Sequence, residues 1–265
     1  MHRKIAAFIS VCLLTSSAAA QELSDMPRMA STSLCGDSYV LALAEDNQIA
    51  ALSWQSRGPL SLASEAQKAL PQAWDEAERL IALSPDIVIF GPGEGYETQS
   101  VLEAAGIKIL RLDWGEDEAA LINNLAKFDR VFMPAGQREY PPNRPSILYL
   151  SRSGGSAGGG TYIDTLIKRI GGQNIWAEHG DRKGWFTPDA EQLAMVNPDF
   201  IITAYMSDGF ESAQAKAVTG GVHRRLLKTT PSVEVPGKYL SCMSPAFYKA
   251  VEIARDGFDA WRDAQ

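Results

Sequence analysis

Histidine is scarce in this chain. It has three among 265 residues, and only His179 and His223 lie beyond the first twenty. A zinc or manganese site built from imidazoles is therefore not expected, and a histidine general base has few candidates. Positive charge is also in deficit. Lys and Arg number 25 against 32 Asp and Glu, a net charge of -7, so no broad basic face is available for a nucleic acid. Beyond the first fourteen residues, no apolar run is long enough to cross a bilayer. Cys-x-x-Cys is missing, which weakens a thiol-redox reading. Hydrolase elbows, paired-histidine zinc helices and dinucleotide fingerprints are missing too. The glycine-rich run Ser153 to Gly160 lacks the Gly-Lys-Ser/Thr ending of a phosphate loop. An enzyme using a pair of carboxylates stays open on these grounds.

The start of the chain reads as a processing signal. His2, Arg3 and Lys4 are basic, Ile5 to Leu14 is a short apolar run, and Ala18 to Ala20 form a small-residue cleavage pattern before Gln21. Residues 1–20 are thus expected to be a signal peptide on an exported, soluble protein. Cys12 lies inside the apolar core of that signal and makes a poor lipid anchor. Removing the signal leaves 23 basic and 32 acidic residues, a net of -9. Cys35 and Cys242 survive processing. An even cysteine count in an exported chain favours a disulfide. Two separate buried thiols, or two soft ligands for a metal complex, are the alternatives.

Along the chain, short apolar strands alternate with helices, which predicts an α/β fold with parallel pairing. Strands are expected at Met29 to Leu34, Ile49 to Ser53, Asp86 to Phe90 and Ile107 to Leu112. Later ones are expected at Ser146 to Leu150, Phe200 to Thr203 and Lys238 to Ser241. Helices are expected from an Asp37 cap through Ala44, and over Gln72 to Leu83, Thr98 to Ala105 and Gly115 to Phe128. Further helices follow the Thr161/Asp164 capping signature and the Thr187-Pro188 pair. A last one follows Ser244-Pro245, with Phe247, Val251, Ala254 and Phe258 on one stripe. The proline-rich stretch from Pro134 to Pro145 marks a boundary. Residues 21–113 and 146–265 then form two lobes, joined by a connecting segment at 114–145. An internal echo supports two similar halves: the stretch from Glu78 through Pro85-Asp86 to Ile89 matches the stretch from Glu191 through Pro198-Asp199 to Ile202, with the same spacing.

These segments, with Ala105 to Ile109, Gly159-Gly160-Thr161 and Gly171 to Asn174, resemble the periplasmic binding proteins of iron-siderophore and vitamin B12 ABC importers. Cys35 and Cys242 resemble a cysteine pair found in one branch of that family. The resemblance implies two α/β lobes with mainly parallel sheets, joined by a single linker helix, with the ligand held between them. The linker here is short for that pattern. It also implies a monomer with no cofactor of its own and no resident metal, which passes a ferric siderophore or corrinoid to permease subunits. Glu78 and Glu191 would be the docking charges, one per lobe. Haem held by a tyrosine is the alternative ligand.

Ligands of parallel sheets sit beyond the carboxyl ends of the strands, in pockets that are mostly apolar and aromatic. On that rule the candidates are Trp54, Tyr96 and Tyr205 for ring contacts, with Arg57 and Arg152 for an anionic ferric complex or carboxylate. Trp185 is the leading contact, because the vitamin B12-binding relative places a cleft tryptophan at the same spacing before the second glutamate.

Overall fold

The computed structural model describes residues 26–128, 143–205 and 221–265. The expected signal and most of the proline-rich boundary lie outside the described residues. The first half runs β1 (Met29–Ser31), α1 (Leu34–Leu43), β2 (Ile49–Ser53), α2 (Glu65–Lys68), β3 (Gln72–Ala73), α3 (Ala77–Ala82), β4 (Ile87–Phe90), α4 (Gln99–Ala104) and β5 (Lys108–Arg111). Its five strands pair in the order β3-β2-β1-β4-β5, all parallel. Helices cover both faces, so the strands read as apolar runs rather than alternations. Ala30, Ala51, Leu52, Val88, Ile89 and Phe90 are all fully buried.

A nine-residue helix, α5 (Glu118–Ala126), follows this sheet. The Asp117 side chain accepts from the Ala120 N–H at 2.9 Å and starts it. Leu121 and Leu125 are buried and anchor it.

The second half runs β6 (Ser146–Ser151), β7 (Ser156–Ala157), α6 (Tyr162–Ile170), β8 (Gln173–Asn174), α7 (Ile175–Gly180), β9 (Trp185–Phe186), α8 (Ala190–Met195), β10 (Phe200–Tyr205), α9 (Gly221–Thr229), β11 (Ser232–Pro236) and α10 (Phe247–Asp263). A parallel sheet of order β11-β10-β6-β8 forms its centre, and β7 pairs antiparallel with β9 beside it. Thr161 caps α6 by accepting from the Asp164 N–H at 3.2 Å, and Gly171 ends it at φ 98°, where a side chain would be strained. The stripe on α10 buries Phe247, Val251, Ala254 and Phe258, and Phe200 packs edge-on against Phe258.

The expected α/β class with mainly parallel sheets holds, but several local expectations need correction. Ser33, not Asp37, caps α1: its side chain accepts from the Gly36 N–H at 3.0 Å. The stretch Gln72 to Leu83 is not one helix. Asp75 accepts from the Gly95 N–H and the Thr98 hydroxyl at 2.8 and 2.7 Å, and these bonds hold it outside the helix. Asp189, not Thr187, caps α8, in a reciprocal box with Gln192. The last strand is β11, while residues from Gly237 to Tyr239 form a 3-10 turn.

The echoed units do the same structural work in each half. The Asp86 carboxylate accepts from the Arg28 N–H just before β1 at 2.7 Å, and the Asp86 N–H donates back to the Arg28 carbonyl at 2.9 Å. Asp199 does the same to Ser146 at the start of β6, with the same two distances. Between the halves, Tyr39, Leu112, Leu121 and Leu125 share one apolar cluster with Ile147, Tyr162 and Phe247. Arg169 on α6 is 5% exposed and pairs with Glu118 on α5 at 2.5 Å. The Tyr248 hydroxyl donates to the same carboxylate at 2.9 Å.

Candidate functional site

In the first sheet, the strand order reverses between β1 and β4, and a crevice opens beyond their carboxyl ends. A cavity of about 280 Å³ lies there. The first half supplies Cys35 at the start of α1 and Pro92 after β4. The segment between β5 and α5 supplies Asp113, Trp114, Gly115 and Glu116. The second half supplies Tyr162, Trp185, Ser241, Cys242 and Met243. Both sheets thus turn their carboxyl ends toward one space.

Cys35 and Cys242 are bonded to each other across this space, with Cα atoms 5.7 Å apart and 207 residues between them in sequence. That removes the two alternatives, separate thiols and soft metal ligands. The bridge forms part of the cavity wall. The Tyr39 hydroxyl reinforces the join, donating to the Met243 carbonyl at 2.9 Å.

Trp185 is held by the β7–β9 pair, at 43% exposure. Its ring lies 5.0 Å from Tyr162 and meets Tyr149 edge-on at 6.0 Å. Its indole N–H donates to Glu116 at 3.1 Å, which fixes the ring across the gap. A second cavity of about 390 Å³ opens on its other side, lined by Tyr149, Ser151, Ser153, Gly155, Ser156, Phe186 and Thr187. Trp185 therefore borders both chambers, and its indole is 43% exposed to whatever ligand enters.

The two sides of the crevice differ in their buried ionisable groups. Asp37 on α1 is buried, and burial raises its carboxyl to about 6 despite hydrogen bonds from the Ser53 N–H and hydroxyl at 2.8 and 2.6 Å. On the other side, burial pushes the Tyr149 and Tyr162 phenols up. The Tyr162 hydroxyl donates to the Leu240 carbonyl at 2.7 Å. Behind the second chamber, burial lowers His223, whose ring nitrogen lies 3.4 Å from the Ser151 carbonyl. Among the described residues, no group of three or more His, Cys, Asp or Glu is placed to hold a metal.

Of the residues expected from sequence, Trp185 lines both chambers. Trp54 is 54% exposed in the turn after β2. Arg57 lies on that turn and donates to the Lys68 carbonyl at 3.1 Å. Tyr96 follows β4 and is 69% exposed, with the Arg111 guanidinium 4.2 Å from its ring centre. Arg152 is exposed, just after β6. Tyr205 ends β10, and its side chain lies outside the described atoms. Trp54, Arg57, Tyr96 and Arg152 line neither chamber. Glu78 and Glu191 are both exposed, in the first turns of α3 and α8. Sequence reasoning missed Trp114, Glu116 and Tyr162. The strand-end rule that selected the other loops also selects Asp113 to Glu116, which directly follow β5.

Two parallel sheets flanked by helices and facing one crevice define a two-lobed α/β fold, and solved structures share it. No protein-family model matches the chain, and no curated protein does. The periplasmic haem-binding protein HutB of Vibrio cholerae superposes with a TM-score of 0.60 at 19% identity, over 85% of this chain and 96% of that one. The periplasmic haem-binding protein RhuT from Roseiflexus sp. RS-1 gives 0.55 at 19% identity, over 87% and 98%. The periplasmic vitamin B12-binding protein BtuF of Vibrio cholerae gives 0.54 at 17% identity, over 88% and 97%. At these identities the likeness is one of fold.

Proposed function

We propose that this chain is the periplasmic substrate-binding component of an ABC importer, which captures a ferric chelate or corrinoid between two lobes and hands it to a membrane permease. One observation carries the reading: a Trp185-walled crevice lies where the carboxyl ends of two matched parallel sheets converge. Solved proteins of this fold are described as periplasmic binders of haem and vitamin B12. Residues 21–113 and 146–265 are taken as the lobes, with 114–145 between them. Glu78 and Glu191 sit at matched places on the echoed helices. There they would steer the loaded protein onto positive charge of the permease. In this reading the protein works as a monomer and catalyses nothing. Among the described residues, no helix is long and apolar enough to cross a membrane.

Haem is the second reading, in keeping with the periplasmic haem-binding proteins that share this fold, although Tyr96, exposed beside Arg111, lines neither chamber. Tyr162 suits iron less well, since burial opposes its ionisation and its hydroxyl is already committed to Leu240.

Native mass spectrometry of protein taken from its own periplasm tests both readings. A bound ferric chelate, corrinoid or haem is expected. Repeated isolation without any ligand, together with turnover of a substrate or a readily reduced disulfide, would move the protein to an enzyme or thiol-redox class. Trp185→Ala is expected to weaken ligand binding at least tenfold with an unchanged melting curve. Unchanged affinity would remove Trp185 from the site.

A further inference from the structure

The smaller chamber has an unusual lining for a site meant to hold an anion. Three aromatic rings face it, from Trp114, Tyr162 and Trp185, and Trp114 is 77% exposed. Two carboxylates line it, Asp113 and Glu116, while Lys, Arg and His are missing from its wall. Lys127 offsets Asp113 at 2.8 Å. Glu116 is different. Its described hydrogen bond is to the neutral Trp185 indole, and among the described residues no cation lies within ion-pair distance of it. Its charge is felt inside the chamber, where it adds to the upward push on the Tyr162 phenol. An indole face attracts a cation through its ring quadrupole, and a nearby carboxylate strengthens that attraction where water is partly excluded. The same arrangement repels carboxylates, catecholates and sulfonates.

We propose that this chamber selects a flat ligand carrying positive charge, stacked on Trp185, with Glu116 as the residue that sets the preference. The proposal rests on the ligand-binding reading above and narrows it: a cationic chelate or ring system is favoured over an anionic one. Glu116 does two jobs in this scheme. It holds the Trp185 ring in place, and it supplies the charge that discriminates.

The test is calorimetric titration of the mature, disulfide-bonded protein with matched probes. Methylene blue is a flat three-ring cation, and anthraquinone-2-sulfonate is a flat three-ring anion. Diaquacobinamide and haemin are titrated alongside. Methylene blue is expected to bind at least tenfold more tightly than the sulfonate. Glu116→Gln keeps an oxygen for the Trp185 indole and removes the charge, so it is expected to shrink that ratio about fivefold or more at an unchanged melting temperature. Equal affinity for the two dyes, a preference for the sulfonate, or a ratio unmoved by Glu116→Gln overturns the proposal. If the dyes discriminate as expected while neither diaquacobinamide nor haemin binds, charge selection stands and the corrinoid and haem readings fall.

Discussion

The two halves of the molecule are built alike and end differently. Each carries a parallel sheet, and each uses a Pro-Asp pair to tie one strand start to the next with the same two bonds. At the crevice the likeness stops. The first half presents only Cys35 and Pro92, and the segment after β5 adds Asp113, Trp114 and Glu116. The second half presents rings: Tyr149, Tyr162, Trp185 and Phe186. A repeated scaffold fixes where a ligand sits, and the loops at its strand ends decide what that ligand is.

The largest break in this comparison comes from cutting the join between the halves. A cross-link between residues 207 apart in sequence stabilises by roughly 5 kcal/mol on the chain-entropy argument. The Cys35→Ser/Cys242→Ser double variant is therefore expected to melt well below the oxidised protein and level with the reduced one, by differential scanning calorimetry. Next comes Glu118, which holds Arg169 and Tyr248 of the second half. Glu118→Ala removes the carboxylate that pairs with the buried Arg169 and accepts from Tyr248, and is expected to cost about 3 kcal/mol in urea denaturation, with Glu118→Gln costing less.

Asp37 distinguishes the halves by pH. Its folded carboxyl titrates near 6, above the ordinary value of 3.8, so the native state holds the proton more tightly than the unfolded chain. Stability from this group is full below about pH 4 and is lost as pH rises through 6, by an amount on the order of 3 kcal/mol. Asp37→Asn is expected to flatten that slope in denaturation midpoints measured from pH 4 to 7. A slope that persists in the variant would assign it to another group. The smallest effect sharpens the likeness instead. Asp86→Asn and Asp199→Asn each remove one charge-assisted cap, and each is expected to cost about 1 kcal/mol. Costs differing by more than about 1 kcal/mol would show that the repeated units are not equivalent in energy.

The sequence pattern revealed the repeated architecture because its signals are local. Proline and aspartate after a short helix, a glycine that ends α6, and the apolar stripe on α10 each act within a few residues. The errors came where distant partners decide. Asp75 is kept out of α3 by Gly95 and Thr98, some twenty residues away. Ser232–Pro236 lies between Pro231 and its own last residue Pro236, and an edge strand tolerates proline at its ends once β10 pairs alongside it. The crevice was legible only in part. Trp185 stood out by its spacing, while the Glu116 bond that orients it spans 69 residues, and no local pattern announces such a pairing.

The bridge between Cys35 and Cys242 has a consequence for how such a molecule can open. Two backbone points held 5.7 Å apart cannot separate, so whatever relative movement the halves retain must swing about that point. Travel is then least beside the sulfurs and grows with distance from them. A ligand would enter and leave from the far side, while the end nearest the bridge keeps its shape throughout the cycle. In an oxidising compartment the pivot is set once, when the thiols join, and on the proposed binding role every later capture and release would turn on it.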